Sequence, residues 1–189
     1  MNICIVGHGP SPKGKGLGNQ IDSHEIVVRL KNCSPLIGTP DYGSRIDAIC
    51  MSTEVSAIAE QAQASMFWLY PKNGKYDEVK NFDVIAKKGA PFMIPLDLCN
   101  FWNDEFRKLN PFHNNVSTGL ASIFIAAHYY EPKQITLVGF DTLVDPSVPF
   151  SRNDFAPRTG VGEIKHDWEN ENKLLKQISD TYQFQIGVL

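Results

Sequence analysis

Short apolar runs without polar interruptions alternate along this chain with longer segments of helical periodicity. Uninterrupted runs are typical of strands that a parallel sheet buries on both faces, because strands with one wet face alternate in polarity. Strands are predicted at residues 2–6, 26–30, 46–51, 66–70, 92–94, 135–139 and 184–189. Helices are predicted at about residues 53–64, 76–88, 96–109, 117–130 and 163–182. This order predicts an α/β fold, a three-layer domain built on a mostly parallel sheet.

The chain length bounds the domain organisation. The sequence has 189 residues, which suits one domain over residues 1–189 better than two domains. Residues 141–162 contain three prolines and little periodicity. A structureless loop of this length inside a compact domain is commonly functional. We therefore expect residues 141–162 to contribute to a binding site.

Composition argues against several classes of protein. The formal charge is −3, and a chain without a basic excess is poorly suited to bind nucleic acid through its phosphates. The longest nearly apolar run, residues 120–127, is much shorter than the roughly 20 residues of a membrane-spanning helix. The first residues lack the basic region and cleavage site of a signal peptide. We expect no nucleic-acid partner, no transmembrane segment and a cytoplasmic location.

The cysteines do not have the spacing of a metal site. Cys4, Cys33, Cys50 and Cys99 form no C-x-x-C pair, whereas structural zinc sites use paired ligands. Three of the four stand in apolar surroundings. They are predicted to be buried free thiols, as expected in a reducing compartment.

A glycine-containing turn follows the first predicted strand. It reads Gly7-His8-Gly9-Pro10-Ser11, and we call residues 7–11 the first turn. A glycine turn at this point of an α/β sheet lets backbone N–H groups approach a phosphate, although a tight structural turn has the same composition. The dinucleotide-binding fingerprint is not met, because Pro12 stands where its third glycine belongs.

A second candidate site opens the helix at residues 117–130. Asn115-Val116-Ser117-Thr118-Gly119 leads into it. Ser117 or Thr118 can cap the helix, and the same helix N-terminus can bind an anion through its free N–H groups. Capping alone and anion binding both fit these residues.

A third candidate is His166, at the start of the last predicted helix and just after the long loop. A histidine can act as a general base near neutral pH, and Glu169 or Glu171 can orient it. A structural or solvated histidine fits this position as well. Glu171 is five residues away and so falls outside the i, i+4 spacing of a helix, which predicts that Glu169 is the nearer neighbour.

These segments together resemble the sialyl motifs of the animal-type inverting sialyltransferases. Residues 7–29 and then Asp41-Tyr42-Gly43-Ser44-Arg45 resemble the large motif. Ser117-Thr118-Gly119 with residues 135–141 resembles the small motif, and His166 with Glu171 as His-x4-Glu resembles the very small motif. The matches occur in the family's order and near both ends of the chain, whereas residues 53–110 carry none.

The resemblance implies an inverting glycosyltransferase with a Rossmann-like variant of the GT-A fold. It implies a CMP-activated ulosonic acid as the donor, a glycan acceptor, no further cofactor and no metal, so activity is expected to survive EDTA. Activity is also expected to survive reductant, because no structural disulfide is expected in this chain. The donor-binding residues that it implies are Gly7, His8, Gly9, Pro10, Ser11, Asn32, Ser117, Thr118, Gly119 and Arg158. His166 would deprotonate the acceptor hydroxyl, Glu171 would support it, and residues 141–162 would select the acceptor.

The sequence departs from the family pattern at several points. His8 stands where the family has asparagine, and Asn32 follows Arg29 one residue later than in the family. No histidine lies near residue 150 to match the family's third motif, so Arg152 or Arg158 is the candidate for that positive charge. The histidine of His128-Tyr129-Tyr130-Glu131 lies inside the small-motif helix, and its likeness to the third motif is interpreted as coincidence.

The family disulfide between the large and small motifs cannot form, because no cysteine follows Cys99. This fits a small bacterial or phage member. CMP-sialic acid is the first candidate donor and CMP-Kdo is a close variant, since both sugars carry a carboxylate. A catalytically silent nucleotide- or glycan-binding module is the alternative from another class. An NAD- or SAM-dependent Rossmann enzyme fits less well, because the third glycine of its fingerprint is absent.

Overall fold

The computed structural model describes residues 1–53, 64–71, 82–113, 115–148 and 166–189. Its strands are β1 (Asn2–Val6), β2 (Ile26–Leu30), β3 (Ala48–Ser52), β4 (Met66–Tyr70), β5 (Ala90–Met93), β6 (Gln134–Val138) and β7 (Gln185–Val188). Its helices are α1 (Gly18–Asp22), α2 (Phe82–Lys88), α3 (Leu96–Leu109), α4 (Thr118–Tyr130), α5 (Asp141–Val144) and α6 (Trp168–Tyr182), with a short 3-10 helix at Ser34–Leu36.

The described strands form one seven-stranded sheet in the order β5-β4-β3-β2-β1-β6-β7. Every neighbouring pair is parallel, so the predicted α/β fold class is confirmed. The chain moves outward from β1 to β5 and then returns to the other side of β1 to form β6. That reversal creates a switch point between β1 and β6, and open α/β sheets bind ligands at the carboxyl ends of the strands beside such a point.

Helices cover both faces of the sheet. The largest core cluster packs α3, α4 and α6 on one face, and two smaller clusters lie on the other face with α1, α2 and the 3-10 helix. Within α4, every residue from Gly119 to Ala127 is buried, because α6 packs against the helix on the side away from the sheet. A helix that is apolar all round is expected at such a position.

Several predicted boundaries change in the structure. Leu96–Leu109 is found as predicted, and most other elements start or end within two residues of their predicted bounds. The predicted helix at residues 53–64 and the first part of the one at 76–88 lie outside the described residues. The expectation that residues 141–162 lack structure is wrong at their start, where α5 forms directly after β6. The short α1 and the 3-10 helix were not predicted.

The four cysteines are buried free thiols, as predicted. Burial raises the pKa of the Cys4 thiol to about 12 and that of Cys33 to about 11, which keeps both thiols protonated at neutral pH. No helix in the described part of the chain has the length and apolar character needed to span a bilayer.

Candidate active site

The first turn and the end of β6 lie against each other at the switch point. Gly7 N–H donates to Val138 O at 2.7 Å, and Gly9 N–H donates to Gly139 O at 2.8 Å. A Cβ at Gly9 would lie 2.7 Å from Gly139 O, closer than side-chain carbons approach a backbone oxygen. Gly139 itself has a φ of +67°, in the left-handed region that favours glycine. Close backbone contact therefore explains the glycines that follow both strands.

This packing gives several backbone N–H groups of the first turn acceptors within the protein. Besides the two glycine N–H groups, Ser11 N–H donates to Asp141 Oδ2 at 3.2 Å, and Pro10 has no N–H to offer. The Asp141 carboxylate also puts negative charge beside the turn. The Gly7, Gly9 and Ser11 N–H groups thus have acceptors within the protein, as in a tight structural turn, and phosphate binding at the first turn stays a prediction. His8 is half-buried in this turn.

The glycines that follow the first turn have structural partners too. Gly14 and Gly16 donate their N–H groups to the Asp41 carboxylate, each at 2.8 Å. These hydrogen bonds, that from Gly14 first, lower the pKa of the Asp41 carboxyl. Gly18 N–H donates to Pro40 O at 2.7 Å. The glycine stretch is therefore folded onto the segment that begins at Pro40.

A buried arginine supports the same segment. The Arg29 side chain is fully buried and donates to Tyr42 O at 2.7 Å and to Arg45 O at 3.0 Å. Tyr42 in turn donates its hydroxyl to Gly9 O at 3.1 Å. The arginine of the large-motif resemblance therefore supports this segment from inside the protein, and Tyr42 links it to the first turn.

The N-terminus of α4 has backbone N–H donors beyond the one that its cap satisfies. Ser117 caps the helix, since its Oγ accepts from Leu120 N–H at 3.1 Å. The Thr118 and Gly119 N–H groups have no hydrogen-bond acceptor among the described residues. Two such donors at the positive end of a helix dipole form an anion-binding arrangement. Capping by Ser117 is therefore found, and anion binding by the Thr118 and Gly119 N–H groups is compatible with it.

The Phe140 ring lies between α4 and the first turn. A Cβ at Gly119 would lie 2.9 Å from Phe140 Cε1, and a Cβ at Gly7 would lie 3.0 Å from Phe140 Cε2. Both segments therefore contact opposite edges of one ring, and a single nucleotide-sized ligand can span them. The expected juxtaposition of the Gly7 turn with Thr118 and Gly119 is found. Asn32, with a left-handed φ of 63°, follows β2 at the same edge of the sheet.

His166 faces a buried carboxylate. Its Nδ1 lies 3.4 Å from Glu171 Oε1, with 21% of the His166 side chain exposed and 1% of Glu171. The same carboxylate accepts from Ser117 N–H at 3.0 Å and from Ser117 Oγ at 2.6 Å. Two distant parts of the sequence, the small-motif serine and the His-x4-Glu pair, thus form one hydrogen-bonded unit.

The prediction that helical spacing separates His166 from Glu171 is wrong. The helix begins only at Trp168, and Asp167 at its N-cap has non-helical angles of φ −89° and ψ 78°. His166 therefore lies before the helix and turns back toward the carboxylate. Glu169, the expected neighbour, is 76% exposed and pairs with Lys173 at 3.1 Å.

Two further contacts hold residues 166 and 167, which we call the histidine segment. The His166 ring packs on Trp168 with 4.6 Å between ring centroids. The Asp167 carboxylate caps α6 by accepting from Asn170 N–H at 3.2 Å, and it also accepts from the Asn110 side-chain amide. Partial burial acts to raise the pKa of the Asp167 carboxyl, but the hydrogen bonds from Asn110 and Asn170 outweigh it and lower that pKa.

This arrangement suits proton transfer rather than a serine nucleophile. In a Ser-His-Asp triad the serine hydroxyl faces the histidine, whereas the Ser117 hydroxyl here donates to Glu171. With Nδ1 facing the carboxylate, Nε2 is the nitrogen left to accept a proton. The geometry is that of a base oriented by an acid, with the N-terminus of α4 on the other side of the acid.

The other candidate residues fall elsewhere. His128 lies near the far end of α4 and contacts the Tyr182 hydroxyl at 3.3 Å, which agrees with its exclusion. His24 contacts Thr136 Oγ1 at 3.1 Å. Arg152 and Arg158 lie outside the described residues. No group of three His, Cys, Asp or Glu side chains suited to a metal occurs in the described ranges.

Phe140 and Asn103 were not predicted as contributors to the site, and Asp141 was predicted only as the start of the loop at residues 141–162. Phe140 and Asp141 follow β6, and only the strand order shows that β6 neighbours β1. Asn103 on α3 is buried, and its Oδ1 accepts from Val116 N–H at 3.1 Å and from the Tyr70 hydroxyl at 2.9 Å. It thereby fixes the chain that enters α4. A lone asparagine in a predicted helix carries no signal of that role.

Solved structures show the same fold. A mammalian sialyltransferase in complex with Gal-beta-1-3GalNAc-ortho-nitrophenol is 19% identical, with a TM-score of 0.61 over 100% of this chain and 68% of that one. A second mammalian sialyltransferase structure is 20% identical, with a TM-score of 0.62 and the same coverage. No protein-family model matches the sequence, and no curated protein matches it by sequence. The chain therefore has a sialyltransferase-like, Rossmann-like α/β fold.

Proposed function

We propose that the chain is an inverting glycosyltransferase that moves sialic acid from CMP-sialic acid to a hydroxyl of a glycan acceptor. The main support is the group of contacts between His166, Glu171 and Ser117, which connects a candidate base to the N-terminus of α4. The sialyltransferase-like fold supports the same function. CMP-Kdo is the alternative donor, because its transfer needs the same groups.

The donor is proposed to lie at the switch point between β1 and β6. Its phosphate or carboxylate would meet the Thr118 and Gly119 N–H groups, where the helix dipole favours negative charge. Phe140 would form the floor beneath it. His8 and Asn32 are the proposed side-chain contacts to the CMP moiety, and Arg158 is the proposed further cation.

His166 is proposed to act as the general base. Nε2 takes the proton from the acceptor hydroxyl while the acceptor oxygen attacks the anomeric carbon of the sugar. The bond from that carbon to the phosphate oxygen breaks, and CMP leaves with the electron pair. Because attack and departure occur on opposite faces, the anomeric configuration inverts. Glu171 stabilises the imidazolium that forms, in the manner of the acid behind a catalytic histidine.

The transition state then needs stabilisation of negative charge on the departing phosphate. Backbone donors fixed in a helix require no rearrangement at the moment of reaction. The first turn is proposed to position the donor through its shape and through His8, since its glycine N–H groups are engaged elsewhere. A catalytically silent binding module would have the same first turn with its glycine N–H groups engaged, so the turn does not distinguish the two functions.

Two measurements separate these functions. Thermal shift with CMP, UDP, GDP and NAD should raise the melting temperature with CMP alone. CMP release from CMP-sialic acid should then increase when Gal-beta-1-3GalNAc-ortho-nitrophenol or another β-galactoside is added. Binding of CMP without any release from CMP-sialic acid or CMP-Kdo would identify a silent module. A shift with NAD but not CMP would contradict the proposal outright.

A further inference from the structure

Phe112 presents an aromatic ring to solvent from a fixed turn. Its side chain is 95% exposed, the most of any large apolar residue described. Its N–H donates to Asn110 Oδ1 at 3.0 Å, and His113 N–H donates to Asn110 O at 3.2 Å. A single exposed apolar side chain is ordinary, but one held on a hydrogen-bonded turn has a defined position.

That turn lies beside the candidate base. The Asn110 side-chain amide donates to Asp167, the residue next to His166. This hydrogen bond joins the turn that carries Phe112 to the histidine segment, residues 166 and 167. Five residues after Phe112, the chain reaches Ser117 and the donor-side helix N-terminus.

We propose that Phe112 is the acceptor platform, an aromatic surface on which a pyranose ring of the acceptor glycan stacks. This inference rests on the proposed function. A pyranose has an apolar face of C–H groups, and an aromatic face fits such a surface through its π-system and its area. The ring would orient the acceptor so that one hydroxyl reaches His166, and it would contribute nothing to donor binding.

Phe101 provides a matched control. It is also an exposed phenylalanine, at 51%, but it lies on α3 with its ring packed on Trp102. It stands eight residues before the end of the helix at Leu109, which places it about 12 Å further along the axis. Replacing either ring removes exposed apolar surface, but Phe112 lies in the turn whose Asn110 binds Asp167, whereas Phe101 lies on α3.

The direct test is saturation-transfer NMR on the CMP-bound full chain with four methyl glycosides. These are the β-galactoside, the β-glucoside, the α-mannoside and the N-acetyl-β-glucosaminide. The native chain should transfer saturation to the ring C–H protons of at least one glycoside. Phe112→Ala should lose that transfer, and Phe112→Tyr and Phe101→Ala should keep it. Absence of transfer to all four glycosides in the native chain, or equal loss in Phe101→Ala, would overturn the platform.

Kinetics then separate this inference from the proposed function. In the transfer assay, Phe112→Ala should raise the acceptor KM about tenfold, and CMP release without acceptor should be unchanged. An unchanged KM in an otherwise active variant would overturn the role of Phe112 and leave the transferase proposal standing. Saturation transfer to a glycoside without any turnover of a CMP-sugar would overturn the transferase proposal and leave the role of Phe112 standing.

Discussion

The buried carboxylate of Glu171 accepts two hydrogen bonds from Ser117, one from its backbone N–H at 3.0 Å and one from its hydroxyl at 2.6 Å. This contact connects the N-terminal end of α6 to the N-terminus of α4. Since His166 lies 3.4 Å from the same carboxylate, the candidate base and the candidate anion site cannot shift independently. The predictions below start from this unit.

Glu171→Gln should damage both stability and turnover. A glutamine has one oxygen where two Ser117 donors need acceptors, and a buried unsatisfied donor costs of order 1–3 kcal/mol. The charge that stabilises the His166 imidazolium is also lost, so kcat should fall at least about tenfold. Urea unfolding and transfer kinetics measure the two effects. Glu169→Gln, at an exposed position, is the control and should change neither by much.

Ser117→Ala should lower kcat and keep CMP affinity, whereas Gly119→Ala should lower CMP affinity. Ser117→Ala removes the cap of α4, worth about 1 kcal/mol, and a hydrogen bond to Glu171, so kcat should fall while CMP affinity is kept. Gly119→Ala places a Cβ 2.9 Å from Phe140 Cε1, so CMP affinity should fall. Calorimetric titration with CMP distinguishes them. Weaker CMP binding in Ser117→Ala than in Gly119→Ala would place the serine on the donor instead.

Gly9→Ala should unfold the protein far more readily than Gly14→Ala. The new Cβ at Gly9 would lie 2.6 Å from Asp141 Oδ2 and 2.7 Å from Gly139 O, so β1 and β6 would have to separate. Gly14 has a φ of +78° with open space around it, and its replacement adds only local strain of about 1 kcal/mol. Urea midpoints compare the two variants. Equal losses would show that the first turn does not pack on β6.

Asn110→Ala should raise the pKa of the Asp167 carboxyl, because one of the hydrogen bonds that lower it is removed. Since that pKa is depressed in the folded protein, the stabilisation is full above the unfolded value, near 3.8, and is lost as pH falls through the folded value. The variant should therefore be less stable than the native chain above about pH 3.8, and the difference should shrink as pH falls below that value. NMR titration of Asp167 measures the shift. Asn172→Ala, whose amide donates to Leu143 O and Val144 O, is the control.

The sequence pattern predicts the fold well for a physical reason. Strands buried on both faces must be apolar throughout, so β1, β2 and β4 have their predicted bounds. Short elements such as α1 and α5 bury too little periodic surface to be recognised. The strand order depends on long-range packing between β1 and β6, and no local pattern encodes it.

The site was predicted in its residues more than in its contacts. His166, Glu171 and the Ser117 segment were singled out by type and position, and the structure brings them together. The pairing of His166 with Glu171 was missed because its geometry depends on where α6 begins. The internal hydrogen bonds of the first turn were not predicted, because glycine composition does not reveal that Val138 O and Gly139 O accept the Gly7 and Gly9 N–H groups.

The most direct test of the proposed mechanism is the transfer rate of His166→Ala beside that of His8→Ala, measured with saturating CMP-sialic acid. His166→Ala should lower kcat by about 10²–10⁴, the usual share of a general base, with CMP affinity nearly unchanged. His8→Ala should mainly raise the KM for the donor. Near-normal turnover in His166→Ala together with loss of turnover in His8→Ala would contradict the assignment and place the base in the first turn.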